Sequence, residues 1–131
     1  MRYMLDTNMV SHLIREKPPV VLRVVGLPMT SLCISTITEG ELVFGLAKRP
    51  HATRLHRGVL EFLRRVESLP WDRVAAKHYG PLRADLERRG KTLSPLDMQI
   101  AAHALSQVAI LVTSDRAFGQ VPGLNVEDWT D

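Results

Sequence analysis

Several things are missing from this chain, and each absence narrows the reading. There is one cysteine, Cys33, so no internal disulfide can form, and its apolar neighbours predict a buried thiol rather than a reactive one. The longest apolar stretch, Val20 to Leu27, is interrupted by Arg23 and Gly26 and falls far short of the roughly 20 residues that cross a bilayer. The opening Met1 to Asp6 lacks the apolar core of a secretory signal, which predicts a cytoplasmic protein with no membrane partner. The histidines, His12, His51, His56, His78 and His103, form no Cys/His ligand pattern, which disfavours zinc. No internal repeat and no low-complexity tract is present.

What remains is ordinary globular composition. A chain of 131 residues with 45% apolar and 24% charged residues predicts one domain spanning residues 1–131. The formal charge is +3, and only four of the 17 basic residues are lysines (Lys17, Lys48, Lys77, Lys91), leaving thirteen arginines. Arginine suits forked phosphate contacts and stacking on bases, so the balance leans towards nucleic acid without demanding it.

Periodicity separates short strands from helices. Arg2–Leu5 reads as a strand meeting the polar turn Asp6-Thr7-Asn8, after which Val10, Leu13 and Ile14 recur at helical spacing. Pro18-Pro19 is expected to close that helix, and Val20 to about Gly26 to form another. Leu32-Cys33-Ile34 reads as the second strand. Thr36 with Glu39 has capping-box spacing, predicting a helix from Thr36 to about Ala47 that is apolar on two sides, with Ile37, Phe44 and Gly45 on one and Leu42, Val43 and Leu46 on the other. Helix continues over about Thr53 to Val66, then a brief extended segment at Leu69–Trp71, then helix from Val74 to Arg89 ended by Gly90. Ser94 caps the last helix with Pro95 at its first position. Ile110–Thr113 is the clearest strand, and a final short one is expected around Asn125-Val126. Strands alternating with helices predict an α/β class: a three-layer α/β/α sandwich on a central, mostly parallel sheet.

In such folds ligands bind beyond the carboxyl ends of the strands, so acids there carry the interest. Asp6 and Asp115 lie at two strand ends, where a helix N-cap and a loop turn are their plain structural roles. Asp97 falls on the inward stripe of Ile100, Ala101, Ala104 and Val108, and can also complete the cap of Ser94. Glu41 lies on the stripe of Ile37, Phe44 and Gly45 with no local explanation, whereas Glu39 is accounted for by the capping box. If these four acids converge, something cationic must join them, because unpaired buried charge is costly. A neighbouring base is one answer, but the segments around them are poor in bases apart from Arg116. A hard divalent ion, Mg²⁺ or Mn²⁺, suits oxygen ligands better. Such a site favours phosphoester hydrolysis.

Four stretches taken together resemble a known family, the PIN-domain toxins of bacterial toxin–antitoxin operons, VapC-type. They are Met4-Leu5-Asp6-Thr7-Asn8; Ser35 to Gly45; Ser94 to Ala104; and Val112 to Phe118 followed by Pro122-Gly123-Leu124 and Glu127-Asp128-Trp129. The resemblance covers nearly the whole chain. It implies a PIN-like fold, a Mg²⁺-dependent endoribonuclease cutting tRNA or rRNA, metal ligands Asp6, Glu41, Asp97 and Asp115, and assistance from Thr7 and from Thr113 or Ser114. It also implies a VapB-type antitoxin as partner and a homodimer or higher toxin–antitoxin assembly. The doubly apolar helix from Thr36 independently suits a partner surface.

For RNA contact, Arg54, Arg57, Arg64, Arg65, Arg88, Arg89 and Lys91 are the candidates, although Arg88 and Arg89 also sit where a helix end favours cations. The rival reading is a noncatalytic RNA- or protein-binding module retaining the fold. A phosphatase is disfavoured because Asp6-Thr7-Asn8 lacks the second acid of an Asp-x-Asp pattern.

Overall fold

A computed structural model describes residues 1–131. Its centre is a five-stranded sheet: β1 (Tyr3–Leu5), β2 (Leu32–Ser35), β3 (Glu67–Leu69), β4 (Ile110–Val112) and β5 (Val126–Glu127). The order across the sheet is β3-β2-β1-β4-β5, and every pairing is parallel, so the sheet is more uniform than the expected mostly parallel one. Six helices cover it: α1 (Thr7–Ile14), α2 (Pro18–Val25), α3 (Thr36–Lys48), α4 (Thr53–Arg65), α5 (Arg73–Arg88) and α6 (Pro95–Ser106).

The period-two alternation of strand side chains divides the core in two. Met4, Cys33 and Leu111 point to one face, where Leu82 and Leu86 of α5, Ile100 and Ala101 of α6, and Phe118 bury them. Leu5, Leu32, Ile34 and Val112 point to the other, packed by Met9 and Val10 of α1, Val20 of α2, and Val59 and Phe62 of α4. Three layers result because the central strands β1, β2 and β4 place apolar side chains on both faces. Cys33 is fully buried as expected, and burial pushes its thiol up to about 11. No helix is long and apolar enough to cross a membrane.

Three local expectations need correction. Pro18-Pro19 does not close α1 but opens α2, where proline lacks only an N–H that the first helical turn leaves unpaired anyway. The chain reverses before it, at Glu16, whose φ is +59°. The cap of α3 is Ser35, not Thr36: Ser35 Oγ accepts from the Ile37 N–H at 3.1 Å, while Thr36 Oγ1 accepts from the Trp71 N–H at 3.1 Å. Glu39 therefore completes no capping box. Finally, the two apolar sides of α3 are unequally used. Ile37 packs against the α5–α6 cluster and Leu42 and Leu46 join the opposite one, but Val43 and Phe44 stand 51% and 57% exposed.

The topology fixes where a site can form. The chain builds outwards from β1 through β2 to β3, then crosses to β4 on the other side of β1, which makes the β1–β4 junction the switch point. Loops leaving the carboxyl ends of these two strands diverge and open a crevice.

Candidate active site

Asp6 is the first residue past β1. Its backbone N–H donates to the Val112 carbonyl at the end of β4 (3.1 Å), which ties it to the switch point. Its side chain caps α1, Oδ1 accepting from the Met9 N–H at 2.8 Å. The side chain is nearly buried, at 9% exposure. Thr113, the first residue past β4, is buried and bridges two acids: its hydroxyl oxygen accepts from the Asp115 N–H at 3.0 Å and its hydrogen bonds the Asp6 carboxylate. Asp115 caps a short 3₁₀ turn, Arg116–Gln120, through the Ala117 N–H at 2.9 Å.

The other two acids arrive on helices. Asp97 stands in the first turn of α6, where its N–H donates to the capping Ser94 Oγ at 3.1 Å. Glu41 projects from the middle of α3. Asp6, Glu41, Asp97 and Asp115 all line one cavity of about 200 Å³, with Thr7 and Asn8 at its edge and Ile37, Ile100 and Phe118 among its apolar walls. The cap roles of Asp6 and Asp115 thus coexist with a place in the cavity. Thr113 lies behind it rather than in it, and Ser114 is exposed. Asn8 carried no role in the sequence; its only signal was adjacency to Asp6 and Thr7.

Electrostatically the cavity is unbalanced. Burial pushes the Asp6 carboxyl up, the Thr113 and Met9 hydrogen bonds pull it partly back, and the charges of Asp97 and Asp115 push it up again. Burial likewise raises Asp97, offset by the Ser94 hydroxyl and reinforced by Asp115. No lysine or arginine lines the space. A neutralising base, the alternative left open by the sequence, is not found there.

This donor set fits a hard cation. All four charged groups offer oxygen, and the walls supply no thiolate or imidazole. No three of these acids stand close enough together to hold a metal ion between them in this arrangement. Mg²⁺ does not require three, because it dehydrates reluctantly and takes one or two carboxylates with several waters.

The bases singled out for RNA contact lie elsewhere, none of them on the cavity wall. Arg64 and Arg65 pair with Glu61, and Arg88 and Arg89 with Asp85, all exposed and within one helical turn. Arg54, Arg57 and Lys91 form no ion pair.

Comparison with known proteins places these features in context. The family model described as PIN domain matches residues 3–124. A Shigella flexneri protein named tRNA(fMet)-specific endonuclease VapC is 38% identical over 131 residues, covering 99% of each chain. Among solved structures, DNA-bound VapBC from Salmonella typhimurium superposes with a TM-score of 0.90 at 38% identity, covering 98% of each chain. VapBC2 from Rickettsia felis, bound to a DNA fragment from its promoter, gives 0.89 at 32% identity, covering 98% of this chain and 99% of that one.

Proposed function

The chain belongs to the PIN-domain family, among its VapC-type ribonucleases, and from that premise we propose that residues 1–131 act as one metal-dependent endoribonuclease domain, the toxin of a type II toxin–antitoxin pair. The observation that carries this reading is the cavity itself: four carboxylates from four separate segments, at the switch point of a parallel sheet, without a base among them.

Asp6, Glu41, Asp97 and Asp115 would hold Mg²⁺, with Mn²⁺ able to substitute. When bound, such an ion neutralises the scissile phosphate, acidifies a water and stabilises the leaving 3′ oxygen. The chain's own groups prepare that site. Thr113 and the Met9 N–H fix the Asp6 carboxylate in one orientation, and the 3₁₀ turn fixes Asp115 beside it. Ile37, Ile100 and Phe118 keep one side dry, which strengthens each charge interaction. Thr7 borders the cavity from the first turn of α1, close enough to orient a phosphate oxygen or a water.

The relatives' names support an RNA substrate, with transfer RNA first; ribosomal RNA comes second, from the family resemblance alone. The partner is a VapB-type antitoxin in a cytoplasmic complex, with self-association to a dimer or a higher assembly. Exposed apolar side chains support this, notably Leu22 and Val25 of α2, Phe44 of α3 and Leu60 of α4.

The test is cleavage of structured RNA by purified protein. Mg²⁺ or Mn²⁺ should support cutting, EDTA should stop it, and Asp97→Asn should abolish it in a protein of unchanged circular dichroism. RNA binding that ignores EDTA and the acid substitutions, with no cleavage, would instead favour the noncatalytic binding module.

A further inference from the structure

A second groove, of about 190 Å³, opens beside the acidic cavity and shares Thr7 and Glu41 with it. It runs between α1, α3 and α4, and along it the wall changes sign. Arg15 enters from the C-cap of α1, Lys48 from the last turn of α3, and Arg49 from that helix's C-cap. All three are exposed, and none has an acid within ion-pair distance, whereas Arg64, Arg65, Arg83, Arg88 and Arg89 are each tied to an acid on their own helix.

Cations at helix C-termini need no special purpose, since the terminal carbonyls favour them. That accounts for each base singly. It does not account for the ends of two helices delivering three unpaired bases to one groove continuous with four carboxylates. Helical spacing leads from one region to the other: Thr7, Ser11 and Arg15 descend one face of α1, and Glu41, Gly45 and Arg49 one face of α3.

A polynucleotide whose scissile phosphate lies over the acids must carry its next phosphates past the same negative field. Only a path over cations lets it do so without repulsion. Guanidinium groups fork onto phosphate oxygens, and the Lys48 ammonium is a point charge held 5.2 Å from the Phe44 ring centre.

We propose that this groove is a backbone subsite in which Arg15, Lys48 and Arg49 bind the RNA phosphates flanking the bond to be cut. The assignment rests on the ribonuclease reading above, extending it from where the bond breaks to how the strand is held.

The experiment uses the full chain with Mg²⁺ and a structured RNA that it cleaves. Arg15→Gln, Lys48→Gln and Arg49→Gln are made singly and together, and followed by single-turnover kinetics and by RNA binding across a salt series. The triple variant should raise KM about tenfold with the rate at saturating RNA nearly unchanged, and each lost contact should lower the log–log salt slope by about 0.7. Arg15→Lys and Arg49→Lys should retain the slope. Wild-type KM and slope in the triple variant would overturn the subsite, whether or not the variant also binds a VapB-type antitoxin less tightly. Binding is measured in parallel in the Asp6→Asn background. If no RNA is cut by the wild type, the ribonuclease reading fails, and the salt slope there still decides the subsite on its own.

Discussion

The hydroxyl of Ser35, which caps α3, lies 2.7 Å from Nδ1 of His103 on α6, with both side chains shut off from solvent. This contact joins the helix that carries Glu41 to the one that carries Asp97. Burial pushes the His103 ring below its ordinary value, partly offset by the charge of Asp72. The ring therefore takes up a proton less readily in the folded chain than in the unfolded one. Below about pH 6.5 the unfolded chain gains a proton that the folded chain resists, so stability present above that pH is lost as pH falls. Denaturant titrations of wild type and His103→Gln at pH 7.5 and 5.5 should show the larger acid-induced loss in the wild type. Ser35→Ala removes a cap and strands a buried imidazole, and should cost about 2–3 kcal/mol at neutral pH.

Asp6 carries the opposite sign. Its folded carboxyl titrates above 3.8, so the stability it contributes is present at low pH and is lost as pH rises through the folded value. When ionised it is a nearly buried charge facing Asp97 and Asp115. Asp6→Asn should raise the Tm of metal-free protein by about 3–5 °C for each kcal/mol relieved, because asparagine caps α1 equally well. Mg²⁺ should raise the Tm of the wild type and leave the variant almost unmoved, since a bound ion stabilises only a state that binds it. Thermal melts with and without the ion decide this; a variant less stable than wild type without metal would contradict it.

Much of this was legible in the chain because its signals are local. Strands β1, β2 and β4 are short apolar runs, and two of the four acids follow close on β1 and β4, Asp6 at once and Asp115 three residues on. Ser35 and Thr36 show the limit: two hydroxyl residues stand side by side, and only the approach of Trp71 to Thr36 and of His103 to Ser35 decides which one caps. Phe44 shows another, because a periodic stripe predicts burial but not whether a covering element exists. The bases expected to meet RNA lie along α4 and at and just beyond the end of α5, where neighbouring acids occupy several of them. Arg15, Lys48 and Arg49 come together only through the crossing of α1 and α3, which periodicity does not encode.

We propose that Thr113 assists at the site by orienting two of its acids. It lies behind the cavity, with the Asp115 N–H on one side and the Asp6 carboxylate on the other. Thr113→Val keeps the shape and deletes both bonds. Asp6 then loses the bond that pulls its carboxyl down, so it titrates higher, and Asp115 loses its anchor. Metal affinity should fall 10–100-fold, as for other residues that orient a ligand, and the acid limb of the cleavage profile should move to higher pH. Thr113→Ser should restore both. Isothermal titration with Mn²⁺ beside a pH–rate profile separates this from a loss of folding, which would lower activity at every pH alike.

The contact of α1 with α4 yields a prediction whose sign departs from helix propensity. Alanine is favoured over glycine in a helix interior by about 1 kcal/mol. At Gly58 in α4, however, a Cβ would stand 2.7 Å from Cγ2 of Ile14 in α1. That methyl is attached directly to the branched Cβ, so it cannot swing away as the tip of a long side chain would; χ1 must leave its well or the helices must part. Overpacking of this kind costs about 1–3 kcal/mol and outweighs the propensity gain. Gly58→Ala should therefore destabilise by about 1 kcal/mol. Gly40→Ala in α3, where nothing lies within 4 Å of the added carbon, should stabilise by a similar amount. Urea unfolding of the two variants side by side gives opposite shifts of the midpoint if α1 and α4 are packed this closely, and shifts of the same sign if they are not.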